Sequence, residues 1–524
     1  MRSGRVLPNV VLLSVATFGV SLSVYSTQHG VGASPDSVAY LGAASNVVAG
    51  SGLSLPYGGP GESALTQFPP LYPLVLAAVG TTVGSVGEGA RWLAGMLFGA
   101  NLLLIAGLTS RIAPHSRWAS AVAAILFLVA PPVAVLHFMA WSEALFVFLV
   151  LLGLLLLFQS VTAATKWYAS LSGMAFGLAA LTRYAGLPFV LTAAVVPLLF
   201  ARGSRKTRLA LAGSMVALGI GPVLVWIANN TLRYGQSTGR VLAFHPAGKI
   251  QAWQAFSTLA DWILIPSNWA RRPELALLAI LAVSGVVLYR IWKHGNHQAV
   301  LSVVHGQTLG PVLLRLLLVA FAAAYFVFLL ISVSLVDANT PLDSRILAPV
   351  FVLLVPVAVA VVFEVGTGPE GLSFRRMLPS LAVGALVLGY GMQTYRLVQA
   401  AASEGVGFNH SSWRNSALLA AASKLPKGST IFSNAPEPLY LLDGRRSARL
   451  PKPYESVSDR ENPTFEKEVG QMSLALARSD ARVVYFNRVV GPSIVSLGEL
   501  MNRLPLIIEF ETPDGWILKL EGGN

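Results

Sequence analysis

The chain has 524 residues, of which 54% are hydrophobic and only 12% charged, with a mean hydropathy of +0.64. A soluble globular protein carries about 25% charged residues, so this composition excludes an ordinary soluble domain and indicates a polytopic membrane protein. The absence of cysteine excludes disulfides, cysteine-ligated zinc and thiol catalysis. The net charge of +13 is not a nucleic-acid footprint, because residues 396–524 hold 15 Lys/Arg against 14 Asp/Glu while residues 1–395 hold 22 against 10. The excess lies in short loops between apolar runs, where it reports topology.

In chain order, apolar runs predict eleven spans at 7–26, 92–110, 118–136, 143–161, 167–182, 185–200, 209–228, 273–291, 312–335, 346–364 and 379–395. The first, Leu7–Tyr25, follows Arg2 and Arg5 and is long enough for a retained anchor rather than a cleaved signal peptide. The first outer loop covers 27–91. Its polar stretch Ser34–Tyr72 carries Asp36 in a region almost free of acids, followed by an amphipathic helix over Ser37–Ala49. Pro69–Val83 is apolar but only on the order of 15 residues, and opens with Pro69-Pro70, which fits an interfacial or re-entrant helix better than a span.

Charge decides the topology. If Pro69–Val83 does not cross, one side collects 14 cations, among them Arg111, Lys166, Arg202, Arg205, Lys206, Arg208, Arg315, Arg375 and Arg376, against two acids, Glu364 and Glu370. The other side then holds 8 of each sign. The positive-inside rule makes the first side cytoplasmic, in what is expected to be a bacterial plasma membrane with the N-terminus inside. A second long outer loop runs over 229–272. Residues 396–524 then form an extracytoplasmic soluble domain of small α/β type. Its strands are expected at TIFSNA, ARVVYFN and LIIEFETPDGWILKL, the last a hairpin turning at Pro513-Asp514-Gly515, with helices over Ser412–Lys424 and Phe465–Arg478.

The outward-facing ionisable residues are the candidates for chemistry, since such groups near membrane depth are costly. Asp36 is either the N-cap of its helix or a general base taking a proton from an acceptor hydroxyl. Glu143, in MAWSEALF, opens the fourth span. It either complements the helix N-terminus or acts as a second carboxylate that orients the acceptor or helps hold a cation. Arg183, in LTRYAGL, either snorkels to headgroups or binds an anion. Arg345, in TPLDSRILAP, either pairs locally with Asp343 or offers a two-pronged match to phosphate. Trp253, Trp262 and Trp269, in the second long loop, read as interfacial anchors, with a sugar-stacking platform as the alternative. The histidines lack zinc-ligand spacing and no Walker loop is present, so neither zinc nor a soluble nucleotide donor is indicated.

Four blocks together resemble the GT-C superfamily of membrane glycosyltransferases, in the branch of protein O-mannosyltransferases and lipid A aminoarabinose transferases. They are PDSVAYLGAASNVVAGSG, FPPLYPLVLA, WSEALFVFLVLLGL and GMAFGLAALTRYAGL, in that order and spacing. The resemblance covers about residues 1–395, the catalytic module. It implies a polyprenyl-phosphate sugar donor, an outward-facing site, and an inverting transfer to an acceptor hydroxyl on a glycan, lipid or protein. Under it Asp36 is similar to the family's general base and Glu143 to its second outer-loop acid. Arg345, with Arg183, is left to contact the donor phosphate, because many members place His or Lys just before Pro-Pro where this chain has Gln67 and Phe68. Tyr40, Gln67, Tyr72 and Tyr184 are the substrate-binding positions within or beside these blocks. The resemblance fixes no cofactor; a divalent cation (Mg, Mn or Ca) stays open. Two other classes share parts of the pattern: a polysaccharide polymerase or ligase, and a lipid-glycan transporter, which would show broken spans at related positions of two halves. No broken span is read from the sequence.

Overall fold

The computed structural model of the chain describes residues 6–57, 64–116, 118–163, 165–240, 244–246, 248–265, 310–366, 374–454, 460–478, 480–491 and 493–522. Helices occupy ten of the eleven expected spans. They are α1 (Val6–Ser26), α4 (Val86–Ile112), α5 (Ala119–Val129) with α6 (Pro131–Phe138), α7 (Glu143–Ala163), α8 (Lys166–Thr182), α9 (Leu187–Phe200), α10 (Arg205–Tyr234), α12 (Pro311–Leu335), α13 (Ala348–Gly366) and α14 (Phe374–Glu404). The first outer loop contributes α2 (Pro35–Val48) and α3 (Leu71–Val83), and the second contributes α11 (Lys249–Trp262). The expected span at 273–291 lies outside the described residues. Among the described residues five helices are individually long and apolar enough to cross a membrane, or six with the bent α5–α6 pair counted as one. That supports an integral membrane protein and leaves the full count of eleven as an expectation.

The expected span 118–136 is not continuous. It breaks at Ala130 and the two pieces bend by 63°. The cause is local: Ala130 takes an extended conformation, and Pro131-Pro132 open a new helix, where a missing N–H costs nothing. The bend turns the chain out of the bundle axis shortly before Trp141–Glu143.

The ends of the helices fall into two groups. Near the start of α4, Arg91 donates to Val24 O at 3.0 Å and to Thr27 Oγ1 at 3.3 Å, at the end of α1. The intervening α3 has 13 residues, about 20 Å of helix against a hydrocarbon core of about 30 Å. The Pro69–Val83 segment therefore returns to the end from which it started, as the charge distribution requires. At the opposite end Arg315 of α12 donates to Ile112 O at 3.0 Å and pairs with Glu364 of α13 at 2.5 Å, tying α4, α12 and α13 together. Between the ends the core is aromatic: Phe176, Phe189 and Phe321 stack with centroids 5.9–6.1 Å apart, and Tyr325 lies 5.7 Å from Phe189. Helices α8 and α10 approach closely because Gly173 and Gly177 face α10; a Cβ at 173 would stand 2.6 Å from Met215 Cα. This is the small-residue contact by which membrane helices gain dispersion energy where lipid offers no hydrophobic drive.

Helix α14 leads into the C-terminal domain, a five-stranded mixed sheet. Its strands are β1 (Thr430–Ser433), β2 (Ala448–Arg449), β3 (Ala481–Phe486), β4 (Leu506–Thr512) and β5 (Gly515–Leu520), in order β2-β1-β3-β5-β4. The β4–β5 hairpin turns at Pro513-Asp514, with Thr512 opposite Gly515, as the turn residues predict. Helix Phe465–Arg478 forms as expected. The expected helix Ser412–Lys424 is two short pieces, Ser411–Arg414 and Ala417–Ala422. Ser416 caps the second by accepting from Leu419 N–H, and a capping serine ends one helix by starting another.

Candidate active site

Three linkers meet where the bundle joins the C-terminal domain. Gly32 N donates to Phe138 O and Ala140 N to Gly32 O, both at 2.8 Å. On the other side of the same strand-like segment Phe408 N donates to Ala33 O at 2.7 Å and Ala33 N to Val406 O at 3.3 Å. This backbone ladder holds the α1–α2, α6–α7 and α14–domain connections side by side. Asp36 follows three residues after its first segment, and Glu143 three residues after its second.

The N-cap of α2 is Ser34, not Asp36. Ser34 Oγ accepts from Ser37 N–H at 3.4 Å and from Trp141 Nε1 at 2.8 Å, while Pro35 fills the first helical position. Asp36 thus stands in the first turn with its side chain clear of the capping role, although a carboxylate there is still favoured by the helix dipole. Glu143 opens α7, as expected, and is buried.

Four of the predicted residues come together from four parts of the chain. Arg345 donates through Nη2 to Asp36 Oδ2 at 2.8 Å and through Nε to Glu143 Oε1 at 2.5 Å. Arg183 pairs with the same Glu143 oxygen at 2.6 Å. The result is a neutral chain, Asp36–Arg345–Glu143–Arg183, with Arg345 as its bridge. Burial works against the charge on Arg345, but Glu143 and Asp36 outweigh it and raise the guanidinium pKa further above its ordinary value. The Arg345 guanidinium carbon also lies 4.1 Å from the Trp141 ring centroid, so an aromatic face covers one side of it. The two acids differ in access: 37% of the Asp36 side chain is exposed and 2% of Glu143.

The local Arg345–Asp343 ion pair is not what forms. Asp343 Oδ1 accepts from the backbone N–H groups of Arg345 and Ile346, both at 3.0 Å, and so shapes the turn that presents Arg345. A cavity of about 820 Å³ opens beside this turn, lined by Trp141, Arg345, Thr258, Asp261, Trp262 and Gln393 among others. Trp262 is a wall of this cavity, its ring 5.2 Å from Phe351, rather than an interfacial anchor. Trp253 is exposed, and Trp269 lies outside the described residues.

The predicted substrate-binding residues divide. Tyr40 lies 3.4 Å from Ser142 Oγ, and Tyr72 packs edge-on against it at 5.2 Å, with Phe68 at 5.0 Å. Burial, then the negative charge of Asp36, raises the Tyr40 phenol pKa well above its usual value, so it serves as a neutral hydrogen-bonding group. Gln67 and Tyr184 lie elsewhere. Tyr184 accepts from Trp226 Nε1 at 3.2 Å, and exposed Gln67 lies beside Gly239, where a Cβ would stand 3.1 Å from Gln67 Cγ. The next residue, Arg240, pairs with Asp337 at 3.1 Å. The fold thus sets the backbone at Gly239 against Gln67 from more than 170 residues away, while the neighbouring Arg240 guanidinium is matched by Asp337. Trp141 carries no local sequence signal of its contact with Arg345.

Among the described residues no group of three or more His, Asp or Glu is placed to hold a metal ion. The two nearest carboxylates, Asp36 and Glu143, both accept from the Arg345 guanidinium between them, so this donor set does not fit a divalent cation.

Residues 67–226 match the family model described as dolichyl-phosphate-mannose-protein mannosyltransferase. In fold the chain is similar to ArnT from Cupriavidus metallidurans in the apo state, at 15% identity and a TM-score of 0.58, covering 96% of this chain and 97% of that one. The same protein bound to undecaprenyl phosphate matches at 14% identity and 0.55, covering 99% and 98%. Arabinofuranosyltransferase AftD from Mycobacteria matches at 14% and 0.58, over 98% of this chain but 40% of that one. The Archaeoglobus fulgidus oligosaccharyltransferase tethered with an acceptor peptide matches at 13% and 0.50, over 84% of this chain and 64% of that one. The chain thus spans under two thirds of the latter two. No curated protein matches by sequence. At these identities the likeness is one of fold. Together with the family match, which covers 160 of the 524 residues, it agrees with the resemblance to the GT-C membrane fold.

Proposed function

We propose that this protein transfers a sugar from a polyprenyl-phosphate donor to an acceptor hydroxyl on the extracytoplasmic face, with inversion, and that Asp36 is the general base. The observation that carries this reading is the asymmetry of the carboxylate–arginine chain. Glu143 is buried and anchors two arginines, whereas Asp36, at the far end of the same chain, is half-open. A base that must meet an incoming hydroxyl needs the second environment, and a fixed counter-charge needs the first.

The step balances as follows. The acceptor oxygen attacks the anomeric carbon from the face opposite the lipid phosphate, and its proton passes to the Asp36 carboxylate. The bond from the anomeric carbon to the phosphate oxygen breaks, and polyprenyl phosphate leaves with the electron pair. Arg345, with Arg183 behind Glu143, offsets the charge that develops on that oxygen, in a site whose donors are already oriented. A phosphate drawing on the Nη edge of Arg345 loosens the Arg345–Asp36 bond, so donor binding frees the base when it is needed. The 820 Å³ cavity next to Arg345 gives the head of the donor room outside the packed bundle.

The test is Asp36→Asn in proteoliposomes supplied with a polyprenyl-phosphate sugar. Ser34 remains to cap α2, so folding and donor affinity should be retained while transfer falls roughly 10²–10⁴-fold. Near-normal transfer by this variant would remove Asp36 from the role. Arg345→Lys keeps the charge but cannot bridge two oxygen partners, and is expected to impair transfer, less severely than Arg345→Ala. Unchanged donor affinity and turnover in Arg345→Ala would take Arg345 out of the donor site.

A further inference from the structure

Arg345 stands on the connection 336–347 between α12 and α13, which contains turns but no helix or strand. A side chain on such a segment is placed only as well as its backbone, so a guanidinium that must meet an anion in one orientation needs its turn fixed from outside. Tyr325 of α12 fixes one end, its hydroxyl donating to Ile346 O at 2.9 Å. The other end is held by α11, and the contacts come from one face of that helix. Gln251, Gln254 and Thr258 recur at the three- and four-residue spacing that stacks side chains along a helix. Gln251 Nε2 donates to Ala338 O at 3.0 Å while its Oε1 accepts from Gly248 N at 2.9 Å, so one amide joins the start of α11 to the connection. Gln254 Oε1 accepts from Leu342 N at 3.2 Å, and Thr258 Oγ1 donates to Leu342 O at 3.3 Å. Both backbone polar groups of Leu342 are thus taken by side chains of α11, three residues before Arg345. Leu342 and Thr258 are both buried. Asp343, the next residue, accepts from the Arg345 and Ile346 amides, so the restraint passes from α11 through Leu342 and Asp343 to the backbone of Arg345.

We propose that Gln254 and Thr258 are positioning residues for Arg345: by clamping Leu342 from both sides they hold the guanidinium where it meets the donor phosphate. The assignment rests on the glycosyltransferase reading, which gives Arg345 that phosphate. Neither side chain needs to touch the phosphate itself; each acts on the turn that carries the arginine. A misplacement of about 1 Å can cost on the order of 10²-fold where orientation matters. Losing one bond of the clamp leaves its companion in place, so each single substitution costs less than that.

The test is calorimetric titration of the full-length protein in detergent with farnesyl phosphate and with farnesol, whose affinity ratio separates the phosphate contact from the prenyl one. Gln254→Met and Thr258→Val are each expected to lower that ratio about three- to tenfold, the equivalent of one hydrogen bond. Thr258→Ser keeps the hydroxyl and should restore it. The two substitutions break the clamp at different atoms, so either one suffices if the other does not fold. In an Arg345→Ala background neither should lower the ratio further, whereas an effect on packing alone would add to that of Arg345→Ala. A ratio untouched by both Gln254→Met and Thr258→Val would overturn the assignment. So would a ratio lowered as much without Arg345 as with it, or a loss in Thr258→Val that Thr258→Ser did not recover. If Arg345→Ala alone left the ratio unchanged, the donor-phosphate reading of Arg345 would fall, and the clamp's role with it.

Discussion

Gly407 is where the C-terminal domain is fastened to the linkers that carry Asp36 and Glu143, and Gly407→Ala tests whether that fastening matters to the proposed transfer. Its φ of +62° lies in the left-handed region, and a Cβ there would overlap the Ala33 carbonyl. The conformational term costs about 1–2 kcal/mol for a residue with a side chain. The overlap forces Ala33 and Phe408 apart, which lengthens or breaks their 2.7 Å hydrogen bond and its neighbour from Ala33 N to Val406 O, each worth about 0.5–1.5 kcal/mol. Together these amount to roughly 2–5 kcal/mol against docking, or a thirty- to several-thousand-fold shift in the docked equilibrium at about 1.4 kcal/mol per tenfold. The sheet of the domain lies far along the chain from this contact and should stay folded. The expected outcome is a fall in kcat of at least tenfold, donor Kd within twofold, and protease cleavage near 403–410 that the unaltered protein resists. Deleting the domain outright should act in the same direction, weakening transfer while donor-lipid binding survives. If Gly407→Ala leaves both kcat and protease resistance unchanged, the ladder is not what positions Asp36.

Glu143→Gln should be more damaging to stability than Asp36→Asn, because it leaves Arg183 and Arg345 buried near each other without their shared counter-charge; a loss of about 3–5 kcal/mol is expected, read as a lowered melting temperature in detergent. For topology, exposed Ser204 and Lys427 are the positions to convert to cysteine, since the chain has none of its own and the segment around Ala140 is buried. An impermeant thiol reagent outside intact cells should label Lys427→Cys and spare Ser204→Cys; the reverse pattern would invert the orientation. In the C-terminal domain, burial alone would raise the Asp514 carboxyl, but hydrogen bonds from Ser416, Thr512 and the Leu418 N–H, with Arg488 beside it, bring its pKa below the ordinary value. A depressed folded-state pKa stabilises above the unfolded value of about 3.9, and that stability is lost as pH falls through the folded value. Thermal melts of the full-length protein followed by the domain's strand signal should therefore drop below about pH 4, and Asp514→Asn should flatten that dependence.

How much of this was legible in the sequence depends on whether the signal was local. Apolar length located the helical segments of ten spans, and the charge count foresaw that α3 does not cross, because both properties are summed along the chain. Pro513-Asp514-Gly515 named its turn for the same reason. The break at Ala130 was also written locally, in Ala-Pro-Pro, but a sum of apolar residues over 118–136 passes through it unmarked. Asp36 was open to a capping reading because its carboxylate suits one; Ser34 and Pro35, one cap and one first-turn residue, make the better start, and only their joint fit decides it. The pairing of Arg345 misled in the opposite way. Asp343 is its sequence neighbour, yet it is spent on backbone amides, and the guanidinium reaches acids 202 and 309 residues away.

Those two distant acids share one arginine but not one environment, and their difference follows from the linkers. Glu143 begins a spanning helix and is drawn into the bundle, where a lone carboxylate could not stay charged without Arg183 and Arg345 around it. Asp36 begins a short helix that stays outside, under the C-terminal domain, and needs no second cation. Arg345 can therefore be held firmly from the Glu143 side and loosely from the Asp36 side. An anion that competes for Arg345 must then displace Asp36 before Glu143, since the bond to the half-exposed acid is the one a ligand can reach. Binding of a phosphate at this arginine and release of a base toward an acceptor are on this account the same event, arranged by a chain of four side chains with no net charge.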